Sequence, residues 1–309
     1  MNDSTPRISV LMPVYNADRY VESAMSSILT QTFRDFELLI LDDGSTDNSL
    51  RIIRTIAERD SRVNVISREN KGLVDTLNEL LGRARGSLIA RMDADDVSAS
   101  VRFERQVQAL ESDAALLVVG SDLRSIDDCG RYLMPTVMPH THEEIDAFTM
   151  GVDQGCGMCH PSMMFRASAF ELAGKYRKEY WPAEDADLVL RIAEHGRLMN
   201  IAEPLLSYRV HGGSIGHTQA ERQRNALWRA AAAAAARRGI PPPRAELGEL
   251  KAGQESEMAT HASRDVKWAW WALGSGEVAT ARSLAIRAVL KGPLHIQAWR
   301  VLACAIRGH

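Results

Sequence analysis

Short apolar runs alternate with segments of helical period along the early part of the chain, and this alternation admits few folds besides a mostly parallel sheet covered by helices. Ile8 to Met12 reads as a buried strand, followed at helical spacing by Tyr20, Val21, Ala24, Met25, Ile28 and Leu29. Phe36 to Leu41 gives a second strand, and Ile52, Ile53 and Ile56 mark the next helix. Val63 to Ser67 is a third strand, Leu73, Leu77, Leu80 and Leu81 a third helix, and Ser87 to Met92 a fourth strand.

Beyond Leu116 to Gly120 the pattern loosens. Asp127-Asp128-Cys129-Gly130 predicts a hairpin turn, and glycines at 151, 155 and 157 suit a substrate-binding region. Helical period returns at Asp187 to Glu194, with short strands expected near Leu198 to Ile201 and Leu205 to Val210. After Gly213 the composition shifts: an alanine run, Ala230 to Ala236, favours helix, and Pro241-Pro242-Pro243 ends it. We expect a sheet-bearing domain over residues 1–216 and a helical C-terminal segment over 217–309. Within that segment Ala279, Ala281, Leu284, Ala285, Ala288, Val289, Pro293 and Trp299 loosely resemble one tetratricopeptide-like helical pair.

With 37 basic and 40 acidic residues and a net charge of -3, bulk electrostatics give no reason to expect a nucleic-acid partner. The polar start, Met1 to Arg7, lacks an apolar signal core, no stretch is apolar enough to span a bilayer, and four cysteines are sparse. A cytoplasmic location is expected, with peripheral association at the inner face of the cytoplasmic membrane left open. Trp268, Trp270 and Trp271 are candidate interfacial anchors, with helix packing as the alternative.

In open parallel sheets ligands bind beyond the carboxyl ends of the strands. The first strand ends in Pro13-Val14-Tyr15-Asn16, the second in Asp42-Asp43-Gly44-Ser45-Thr46-Asp47, and the fourth in Asp93-Ala94-Asp95-Asp96. Turn formation and helix capping explain Thr46 or Asp47, whereas a carboxylate beside them suits a base N–H. Three carboxylates within four residues repel one another unless a cation neutralises them, and hard Mg²⁺ or Mn²⁺ prefers such oxygen ligands. Glu184-Asp185 reads either as a catalytic pair or as acids favoured in a helix's first turn. Cys156-Gly157-Met158-Cys159-His160 matches a haem-attachment pattern, but a c-type cytochrome is exported and no signal is present. A zinc site is not expected, because no second cysteine pair is present to complete four ligands.

Taken with Asn70-Lys71-Gly72, His160-Pro161-Ser162 and Tyr208-Arg209-Val210-His211, these clusters over residues 8 to 211 resemble glycosyltransferase family 2. The resemblance implies an α/β GT-A fold, a Rossmann-like mostly parallel sheet flanked by helices. It also implies inverting, Mn²⁺- or Mg²⁺-dependent sugar transfer from a nucleotide-diphosphate sugar, most often a UDP-sugar. The acceptor would be a hydroxyl of a saccharide or lipid-linked saccharide in glycan or surface polysaccharide synthesis. By position, Pro13, Val14, Tyr15, Asn16, Asn70, Lys71, Gly72 and Ala94 would belong to the donor-nucleotide site, with Asp43 contacting the base and Asp93 the ribose or sugar. Asp95 would hold the metal, His211 would approach the metal or diphosphate, Asp185 would be the general base, and Glu184 would position the acceptor. His160 would line the acceptor or donor pocket unless it is only structural, and Trp181 would stack on a sugar unless it is a core residue.

Inversion requires a carboxylate to take the acceptor proton opposite the leaving nucleotide, and a divalent ion offsets charge on the departing diphosphate. Two other readings are a sugar nucleotidyltransferase, which would show a Gly-rich basic loop after the first strand, and a non-catalytic scaffold, which would have lost a carboxylate.

Overall fold

The computed structural model describes residues 5–152, 155–212, 219–243 and 261–308. Strands β1 (Ile8–Val14), β2 (Phe36–Asp42), β3 (Val63–Ser67) and β4 (Leu88–Arg91) alternate with helices α1 (Val21–Leu29), α2 (Ser49–Ala57) and α3 (Leu73–Arg83). These four strands pair in parallel in the order β3-β2-β1-β4. β1 and β2 are buried at every position, as expected of central parallel strands covered on both faces. Edge strand β3 buries only Val63. Glu37 is the one acidic residue within the run of β2 before its terminal Asp42, and it is buried against the Ser9 hydroxyl at 2.7 Å and the Arg85 guanidinium at 2.8 Å.

The chain continues through β5 (Val97–Ser98), α4 (Arg102–Ser112), β6 (Leu116–Ile126), β7 (Tyr132–Thr136), α5 (His142–Met150), β8 (Met164–Arg166), α6 (Ser168–Ala173), α7 (Glu184–Ile192) and β9 (Arg197–Arg209). β8 pairs antiparallel with both β4 and β6, so the sheet is parallel over its first half and turns antiparallel beyond β4. The Asp127–Gly130 turn forms as expected, with Asp127 N–H donating to Arg131 O at 2.9 Å and Gly130 N–H to Asp127 O at 3.0 Å. The two short strands expected after α7 are one 13-residue strand, β9. Pro204 occupies an exposed position within it, where its missing N–H costs little.

The described residues form two compact units, and neither is a single stretch of sequence. The first comprises residues up to 123, 137–207 and 219–243; the second comprises 124–136, 208–212 and 261–308. This differs from a single cut near residue 216. The Ala220–Arg238 helix lies in the first unit, because its alanines form a packing stripe: Ala230, Ala231 and Ala234 are buried with Leu190 of α7, and Ala226 and Leu227 with Ala183 and Ala186. Small side chains let helices approach closely, so an alanine-rich stretch becomes an interface rather than a linker. In the second unit, helices His261–Gly274, Val278–Lys291 and Ile296–Arg307 enclose a core of Trp268, Ala272, Leu284, Ala288 and Val301, to which Leu133 of β7 contributes. Trp268 is thus a packing residue. No described helix is long and apolar enough to cross a membrane.

Gly44 sits at φ +76, and an added Cβ would lie 2.8 Å from the Asn70 backbone nitrogen. Gly44→Ala is expected to destabilise the protein by about 2 kcal/mol, read from urea unfolding; an unchanged midpoint would show that the 44 and 70 loops are not held this close.

Candidate active site

Two loops at the carboxyl ends of β1 and β2 are stapled together by side-chain to backbone hydrogen bonds. Asn16 N–H donates to Ser45 Oγ at 2.9 Å, and Asn16 Oδ1 accepts from Thr46 N–H at 2.8 Å. Ala17 N–H donates to Ser49 Oγ at 2.8 Å, and Asp18 N–H to Asp47 Oδ2 at 3.0 Å. Asn16 adopts φ 49 to do so, a conformation asparagine tolerates better than most residues. Pro13 and Val14 are buried inside β1, whereas Tyr15 is 54% exposed at the rim. Asp43 is buried, and its carboxylate accepts from the Arg68 guanidinium, from Lys71 N–H at 2.9 Å and from Gly72 N–H at 2.9 Å. In this conformation Asp43 fixes the 69–72 loop, with Asn70 and Lys71 left exposed on it.

The acidic triplet follows β4 directly. Oxygen atoms of Asp93, Asp95 and Asp96 lie within 4.8 Å of one another, while Ala94 is buried between them. Beneath them Arg91, 1% exposed, bonds Asp93 Oδ1 at 2.5 Å and the Met92 carbonyl. Burial disfavours the Arg91 charge, but the Asp93 carboxylate more than compensates and holds the guanidinium protonated. For Asp93 burial raises the carboxyl pKa, Arg91 opposes the rise and Asp95 adds to it. Arg102, also fully buried, donates to Arg91 O at 2.8 Å and to Gln106 Oε1 at 3.0 Å, so the backbone carrying the triplet is itself held.

The antiparallel pairing of β8 brings a second set of residues to this spot. Ala90 is registered with Met164, and Arg91 N–H donates to Met163 O at 2.9 Å, so the residues preceding Met163 lie beside those following Arg91. Cys159 and His160 arrive this way. His160 Nε2 is 2.9 Å from the Tyr176 hydroxyl, and burial, then the Arg91 charge, push its pKa well below 6.5. His160 is therefore neutral at pH 7. Burial, then Asp96 and Asp93, raise the Cys159 thiol well above its ordinary value, so it is no thiolate nucleophile.

Glu184 and Asp185 open α7, where the helix N-terminus favours acids. Capping alone does not describe Glu184, because it is buried and its Oε2 accepts no hydrogen bond among the described residues. Burial and then the Asp185 charge lift Glu184 to about 8, while Arg91 lowers it and Asp93 raises it. Burial likewise pushes Asp185 up to about 6, against the Ala186 N–H donated to its Oδ1 at 2.8 Å. Shared electrostatics with Arg91 and Asp93 thus join the α7 pair to the triplet in one patch.

Trp181 packs partly against the core, with the Arg222 guanidinium 4.2 Å from its ring centroid. One face of the ring is therefore covered. His211 stands just past β9 in the second unit. The sequence reading did not single out Arg91, Arg102 or Tyr176. The signal for Arg91 was present as a cation at the end of the apolar run Leu88-Ile89-Ala90, two residues before the first of three carboxylates.

Residues 9–172 match glycosyl transferase family 2. The chain belongs to that family. This glycosyltransferase is 37% identical over 213 residues to the putative glycosyltransferase EpsE of Bacillus subtilis (strain 168), covering 67% of this chain and 74% of that protein. Among solved structures it resembles S. aureus TarS 1-349 in complex with UDP, with TM-score 0.57, 16% identity, and 98% and 92% of the two chains covered. It also resembles the mannosyltransferase PcManGT from Pyrobaculum calidifontis in complex with GDP-Man and Mn²⁺, with TM-score 0.58, 20% identity, and 99% and 81% covered. The fold is that of GT-A glycosyltransferases.

A carboxyl raised from 4.5 to about 8 binds its proton more tightly in the folded than in the unfolded state, so folding stability falls as pH rises across that interval. Glu184→Gln in metal-free protein is expected to gain on the parent by roughly 3 to 4 kcal/mol between about pH 5 and about pH 8. Parallel pH–stability curves for the two proteins would contradict the burial of Glu184.

Proposed function

We propose that this glycosyltransferase moves a sugar, with inversion, from a nucleotide-diphosphate sugar, a UDP-sugar above all, to a hydroxyl of a saccharide or lipid-linked saccharide in polysaccharide synthesis. The observation that carries the reading is the acidic triplet and the Glu184-Asp185 pair gathered in one patch around Arg91. The oxygen-only donor set of Asp93, Asp95 and Asp96 fits Mn²⁺ or Mg²⁺. Asp95 would anchor such an ion, with Asp93, steered by Arg91, turned to the donor's ribose or sugar. When bound, the ion would neutralise charge gathering on the departing diphosphate.

Asp185 would take the acceptor proton. At about 6 its pKa leaves it ionised at neutral pH yet more basic than an ordinary aspartate, which suits a general base. Glu184, at about 8, would remain protonated beside it and offer a donor to an acceptor hydroxyl. Asp43 would set the 69–72 loop at the nucleotide rim, and Tyr15, exposed just past β1, would be free to stack on a base. His160, neutral and tied to Tyr176, would serve as an uncharged wall of the pocket.

Asp185→Asn is expected to lower transfer by about a thousandfold while leaving donor binding within about twofold. Asp95→Ala should weaken Mn²⁺-dependent donor binding by about tenfold or more. Calorimetric titration with UDP and a donor-panel assay of UDP release read the two effects; near-normal transfer by Asp185→Asn would remove it from the base role. The rate for the parent should fall as pH drops below about 6, because the base must be deprotonated, and a flat profile from pH 5 to pH 8 at roughly constant metal occupancy would contradict this.

A further inference from the structure

The outer surface of the C-terminal helices has the wrong chemistry for a face in water. A surface helix ordinarily buries one stripe and turns charge outward. Ile296–Arg307 buries Ala298, Val301 and Ala305, yet Ile296, Trp299 and Ile306 are exposed on the side opposite them. The preceding helix, Val278–Lys291, behaves alike near its end, where Ile286 and Leu290 lie one turn apart and exposed. Between the helices Leu294 is 97% exposed. Trp299 Nε1–H donates to Pro293 O at 2.8 Å, which holds the indole over the connecting turn and makes Leu290, Leu294, Ile296 and Trp299 one apolar tip.

Charge selects the occupant. Residues 278–309 contain Arg282, Arg287, Lys291, Arg300 and Arg307 and no aspartate or glutamate, although the chain as a whole carries -3. Arg287 and Lys291 are drawn inward to the buried Asp265, each at 2.8 Å, whereas Arg300 and Arg307 make no ion pair among the described residues and flank the exposed apolar face. A second copy of this chain would bring the same cations against each other. A surface that is apolar at its centre and anionic at its border answers both features, and that is a bilayer of anionic lipids. We propose that the helical tip at 290–299, with Arg300 beside it and Arg307 further along the same exposed helix face, docks the protein peripherally on an anionic membrane. The assignment concerns the second unit by itself and does not depend on the donor chemistry.

The full chain should sediment with phosphatidylcholine vesicles containing phosphatidylglycerol, about tenfold more strongly than with phosphatidylcholine alone, and lose that preference as salt is raised. Trp299 emission should shift to the blue on vesicle addition, a change absent from Trp299→Phe. The pair Leu294→Asp and Ile296→Asp should abolish sedimentation while UDP release without vesicles and the melting curve stay unchanged. Arg300→Glu with Arg307→Glu should remove the anionic preference. Three results would overturn the proposal: no binding to anionic vesicles, binding unaffected by the aspartate pair, or a dimer of the parent that the aspartate pair converts to monomer. Loss of UDP release in every protein, with vesicle binding intact, would count against the donor reading alone.

Discussion

The ion pair between Arg91 and Asp93 is what allows so much negative charge to collect at one end of the sheet. A buried guanidinium without a partner is strongly unfavourable, and so is a group of carboxylates sheltered from water. Placed together, each stabilises the other. Arg91 reaches Asp93 directly, and its field also lowers Glu184 and Asp185. Burial first, with the Arg91 charge adding to it, keeps His160 unprotonated. The surplus of carboxylates over cations at the patch is what the proposed divalent ion would offset.

The sheet delivers these groups to one place through its change of direction. In the parallel half, β1 and β2 end beside each other, and their loops interlock through Asn16, Ser45, Ser49 and Asp47. Beyond β4, the antiparallel β8 sends its preceding residues back to the same end, so that Cys159 and His160 meet the triplet. A parallel β8 would have carried those residues to the opposite end of the strands.

Much of this was legible in the residues. Short apolar runs alternating with segments of helical period identified β1 to β4 and the helices between them, most clearly for β1 and β2, which are buried on both faces and so read as continuous apolar runs. The triplet and the α7 pair stood out because clustered carboxylates need an explanation. Other features left no local signal. In the antiparallel half, β9 runs 13 residues through exposed polar positions and Pro204, so it carries no continuous apolar signal. The Ala220–Arg238 helix looked like the start of a separate segment because alanine has no strong hydropathic identity, yet it is a packing stripe for α7. Asp43 read as a base-recognition group, and its bonds to Arg68, Lys71 and Gly72 depend on a loop that no pattern predicts. Of the candidate anchors, Trp268 is buried and Trp271 packs against the core while Trp270 is exposed, and the exposed apolar tip lies at Leu294 and Trp299.

The most direct test is anomalous diffraction from a crystal soaked with UDP and Mn²⁺. The account requires a manganese peak bound by Asp95, with the diphosphate on its far side and Asp185 facing the open space where a donor sugar would sit. A manganese peak away from the Asp93-Ala94-Asp95 segment, or a nucleotide bound at a place remote from Tyr15 and the 69–72 loop, would contradict it.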